Sequence, residues 1–181
     1  GKSTLTRTIL RDLIINNQSK KILVWLTEET IEDFKRAFYE SVPAGEHLKN
    51  VKISCQVGVT DSPEKIMADF TEMIEHFDID IVICDNITTS SKLYQDESIA
   101  RQSTTMTWLK SLTKITTVFC IAHTNTSDFN NRLLDENDIR GGKTAVNLTE
   151  FLYVMQPIQI NNTLHQFILI KKHRNQKVEN K

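Results

Sequence analysis

Gly1-Lys2-Ser3-Thr4 opens the chain, and the helical run Leu5 to Asn17 follows it directly. That is how a phosphate-binding P-loop ends: backbone N–H groups at a helix start cradle phosphate oxygens, a Lys reaches the β/γ-phosphates, and a hydroxyl binds Mg²⁺. A tetrapeptide this short also arises by chance or as a cloning remnant, so the other candidates must decide. Asp85 ends the apolar run Ile81-Val82-Ile83-Cys84. This is the form of a Walker B strand, whose terminal carboxylate holds the water shell of Mg²⁺; the alternative is a solvent-facing strand cap. Glu28 and Glu29 follow another apolar run, and Glu28 is placed to orient a water against a γ-phosphate as general base, unless the pair simply caps the next helix. His123 closes a further run, as a γ-phosphate sensor or an ordinary polar strand end. Lys172 and Arg174 alternate on a last strand and so share a face, either reaching toward a neighbouring subunit's nucleotide or forming an exposed basic end.

The elements that must position these residues alternate in type. Leu5, Ile9, Leu10, Leu13 and Ile14 recur at helical spacing, and polar Asn16 to Ser19 stops them. Lys21 to Thr27 is a β-favouring run with polar residues only at its ends, as expected of a strand buried on both faces in a parallel sheet. Ile31, Phe34, Phe38 and Tyr39 mark a second helix. Val51 to Val57 predicts a strand, and Asp61-Ser62-Pro63-Glu64 predicts the entry of a helix running to about Phe77. Ile79 to Cys84 predicts a buried strand, Glu97 to Lys114 a helix, and Thr116 to Ala122 a strand. His123 to Gly142 is polar and closes on Gly141-Gly142, a loop long enough to imply function or mobility. Phe151 to Gln156 and Leu164 to Lys172 read as a hairpin around Asn161-Asn162. Such a βαβα pattern predicts an α/β fold with an open, mostly parallel sheet, helices on both faces and a C-terminal antiparallel hairpin.

At 181 residues the chain suffices for one domain with a proper core. No apolar run approaches the ~18 residues of a membrane helix, and neither a transmembrane span nor a signal peptide is expected. Cys55, Cys84 and Cys120 form no C-x-x-C, and they read as buried free thiols in a reducing compartment. A formal net charge of −1 provides no global basic field, so nucleic-acid binding has to come from local loops.

Taken in order, GKST, ILVWLTEET, IVICDN, VFCIAHTN and IKKHRN give the chain a resemblance to the RecA-like ATPase core of hexameric replicative helicases, the DnaB and plasmid RepA types. IRGGKTAVNLTEFLYVM is similar to the helicase segment that follows the DNA-binding loop. The resemblance covers essentially residues 1–181 and implies one RecA-like P-loop NTPase domain that starts inside its P-loop. It implies ATP and Mg²⁺ as ligands, with Gly1, Lys2, Ser3 and Thr4 at the nucleotide, Ser3 and Asp85 on the metal, Glu28 as the base and His123 as the sensor. Lys172 and Arg174 would reach across a subunit interface, so that assembly as a hexameric ring completes each site. Arg132, Arg140, Gly141 and Gly142 fall in the loop that would meet single-stranded DNA.

The implied activity is Mg-dependent ATP hydrolysis by a helicase unwinding duplex DNA, in a cytoplasmic bacterial, phage or plasmid replication setting, or an organellar one, with primase or a loader as partner. The rivals are a filament-forming recombination or partition ATPase and a non-hydrolysing scaffold module of a replication complex. The chain departs from the family where Gln176 follows Asn175, and where Phe129 is the one aromatic of a loop carrying Asp128, Asp135, Glu136 and Asp138 against only Arg132 and Arg140.

Overall fold

The computed structural model describes residues 2–39, 49–56, 61–89, 93, 99–124, 134, 138 and 142–174. They form two compact units, residues Gly1–Ala122 and His123–Lys181. In the first, α1 (Lys2–Asn16), β1 (Ile22–Leu26), α2 (Ile31–Tyr39), β2 (Val51–Cys55), α3 (Pro63–Phe77), β3 (Ile81–Asp85), α4 (Ile99–Leu112) and β4 (Thr117–Cys120) alternate as expected. The four strands make one parallel sheet in the order β2-β1-β3-β4.

The two central strands are buried along their whole length, which is why β1 and β3 read as unbroken apolar runs. Side chains alternate across the sheet, so β1 feeds two cores. On one face Ile22, Val24 and Leu26 join Ile81 and Ile83 of β3, covered by Leu10 and Ile14 of α1 and Phe34 and Phe38 of α2. On the other, Trp25 packs against Phe70 of α3 and Trp108 of α4, with ring centroids 4.7 and 5.9 Å away. Helices therefore cover both faces.

Local chemistry sets the element ends. Ser62 accepts the Lys65 N–H at 3.3 Å and Pro63 takes the first helical position, the entry expected for α3. Asp78 ends that helix in the left-handed region at φ 53°. Between β1 and β3, Asp80 accepts from Lys20 Nζ at 2.7 Å and the Lys21 N–H at 2.9 Å, clamping the two strand starts. Those bonds, the Lys20 one foremost, hold the Asp80 carboxyl below its ordinary range.

The second unit contains a short helix, α5 (Gly142–Leu148), and a two-stranded antiparallel sheet of β5 (Phe151–Ile160) and β6 (Thr163–His173). Asn161 and Asn162, at φ 48° and 61°, make the turn as the Asn-Asn pair predicted. The strands run longer than expected, and α5 was not expected, because Gly141-Gly142 and the Thr and Asn around it argue against a helix. Among the described residues no helix is long and apolar enough to cross a membrane.

Candidate functional site

In an open parallel sheet the crevice for a ligand forms where neighbouring strands send their connections in opposite directions, at their carboxyl ends. Here that point lies between β1 and β3: β1 leads to β2 on one side, β3 to β4 on the other. Register pairs Leu26 with Asp85, so Thr27, Glu28 and Glu29 emerge beside Asp85 and Asn86.

A bonded cluster fixes this corner. The Thr27 N–H donates to Asp85 O at 3.0 Å and the Asn86 N–H to Thr27 Oγ1 at 3.0 Å, while the Thr27 hydroxyl donates to Asn86 O. Thr88 Oγ1 donates to Asn86 Oδ1 at 2.8 Å. Asp85 is 6 % exposed. It is a buried carboxylate rather than a solvent-facing cap. By strand alternation it leaves the sheet on the face covered by α1 and α2.

Helix α1 reaches the same corner. Arg7, in its second turn, donates to Glu29 Oε2 at 2.7 Å and lies 5.8 Å from the Phe34 ring centroid. At its other end, Asn50 beside the start of β2 donates to Gln18 O at 2.7 Å. The helix therefore runs antiparallel to the strands, and its N-terminal turn, which contains Lys2, Ser3 and Thr4, is at the carboxyl edge. Gly1 lies outside the described residues, as do Arg132, Arg140 and Gly141.

The two glutamates differ. Glu28 is exposed, whereas Glu29 is half-buried and within electrostatic reach of Asp85. Burial pushes the Glu29 carboxyl above its ordinary range; Arg7 opposes this, and the charges of Asp85 and Asp33 add to it. From the sequence alone, Glu28 is the expected base. Strand alternation could not rank the pair, because the strand ends at Leu26 and the chain bends through Thr27 to Glu29.

Among the described residues no group of three or more His, Cys, Asp or Glu side chains could hold a metal. Mg²⁺ does not require one, since it is commonly held by one or two carboxylates plus waters and phosphates, and the hard oxygen donor of Asp85 fits that pattern.

In the second unit, Lys172 Nζ donates to Val146 O at 2.8 Å and to Asn147 O at 3.3 Å, capping the carboxyl end of α5. Arg174 lies just past β6 and pairs with Glu150 Oε1 at 2.7 Å. The expected shared strand face of these two residues therefore stops at His173. Gly142 begins α5, and His123 opens this unit, half-buried. The expectation of three buried thiols also fails: Cys84 is buried, Cys55 partly so, and Cys120 is exposed because β4 is a sheet edge among the described residues.

No protein-family model matches the chain, and no curated protein matches it either.

Proposed function

We propose that the chain is the ATPase core of a RecA-like motor that hydrolyses ATP with Mg²⁺, assembles as a ring and translocates on single-stranded DNA. One observation carries the reading: the Arg7–Glu29 bond brings the start of α1, with Lys2 and Ser3, to the sheet edge where Asp85 and Glu29 lie. A helix N-terminus favours phosphate, and the carboxylates supply what phosphate alone lacks.

In this reading Lys2 and the N-terminal turn of α1 bind the phosphates, and Ser3 and Asp85 would hold Mg²⁺, whose charge offsets that of the phosphates. Glu29 orients water and takes its proton; its raised affinity for a proton suits a general base better than an exposed carboxylate does. Arg174 belongs to an exposed ion pair, which costs little to break, so it can exchange Glu150 for a neighbouring subunit's nucleotide.

The test is ATP turnover with and without single-stranded DNA, and strand displacement on a forked duplex. DNA-stimulated turnover with displacement is expected. Turnover without displacement would point to the filament-forming ATPase, and neither activity would point to the scaffold.

A further inference from the structure

Cys84 and Cys120 are register partners on the adjacent parallel strands β3 and β4. Neighbouring strands lie about 4.7–4.9 Å apart, inside the Cα separation of about 4.4–6.8 Å that a disulfide spans. As register partners the two side chains leave the same face of the sheet. Exposure separates them, since Cys84 is fully buried and Cys120 is open to solvent. The remaining cysteine, Cys55, ends β2, with β1 and β3 lying between it and β4.

We propose that Cys84 and Cys120 form an oxidisable dithiol: hydrogen peroxide oxidises Cys120, and Cys84 then closes an intramolecular disulfide joining β3 to β4. The steps balance. Cys120 sulfur attacks the peroxide, the O–O bond breaks, and sulfenic acid and water result. Cys84 sulfur then attacks Cys120 sulfur, the S–S bond forms, the S–O bond breaks, and the hydroxyl leaves as water with the Cys84 proton. Only the outer cysteine meets the oxidant, and its register partner on the adjacent strand is positioned to intercept the sulfenic acid before a second oxidation. Asp85 follows Cys84 directly, so the link would form next to the proposed nucleotide corner.

The 181-residue chain itself serves for the test. After treatment with hydrogen peroxide and blocking of free thiols, mass spectrometry is expected to show two hydrogens lost per chain, a peptide linking Cys84 to Cys120, and full reversal by dithiothreitol. Cys55→Ser should leave this unchanged. Cys120→Ser, on the exposed edge strand, should abolish it, and Cys84→Ala should stall Cys120 as a sulfenic acid trapped by dimedone. Should Cys84→Ala fail to fold, the Cys120→Ser and Cys55→Ser results still decide. Sulfinic acid at Cys120 without a linked peptide, or a link through Cys55 or between chains, would overturn the proposal. None of these readouts depends on nucleotide turnover.

Discussion

Glu29→Gln is expected to lower Mg-ATP turnover by about 10²–10⁴-fold, the usual contribution of a general base. Glu28→Gln should stay close to the parent, because its carboxylate is exposed while Glu29 lies within electrostatic reach of Asp85. The loss should fall on kcat, with nucleotide affinity little changed, since Gln keeps the size and the hydrogen-bond acceptor but cannot take a proton. Stopped-flow turnover together with nucleotide titration checks this. A Glu28→Gln loss as large as that of Glu29→Gln would return the role to the exposed residue.

Trp25→Ala should cost about 3–5 kcal/mol, a large share of the roughly 5–15 kcal/mol that holds an ordinary domain. Trp25 is fully buried in the central strand and contacts both Phe70 and Trp108, so its loss opens a cavity between the sheet and two helices. Its indole N–H is buried without an acceptor among the described residues. Trp25→Phe therefore gives up ring area but no hydrogen bond, and should be much milder than Trp25→Ala. Urea unfolding is the measurement, and a loss under about 1 kcal/mol for Trp25→Ala would contradict a core built on that ring.

The order of elements was legible because each central strand is buried on both faces, which leaves runs such as Ile22 to Leu26 with no polar interruption. Asp85 was legible for the same reason: a carboxylate ending such a run stands at a sheet edge. What the sequence did not show lies where alternation stops. Glu28 and Glu29 are chemically identical and sit past the strand end, so only the bend of the chain distinguishes them. Arg174 likewise falls past the end of β6, and Lys172 is engaged by a short helix that the glycines around Gly142 concealed. The exposure of Cys120 depends on its strand being an edge among the described residues, a matter of strand order rather than composition.

The proposed site stands or falls most directly on Mg-ATP turnover by Lys2→Ala against the parent. A phosphate site at the start of α1 predicts a loss of about 10²–10³-fold, the effect of removing one preorganised electrostatic contact to developing charge. Equal, measurable turnover in the two proteins would contradict it.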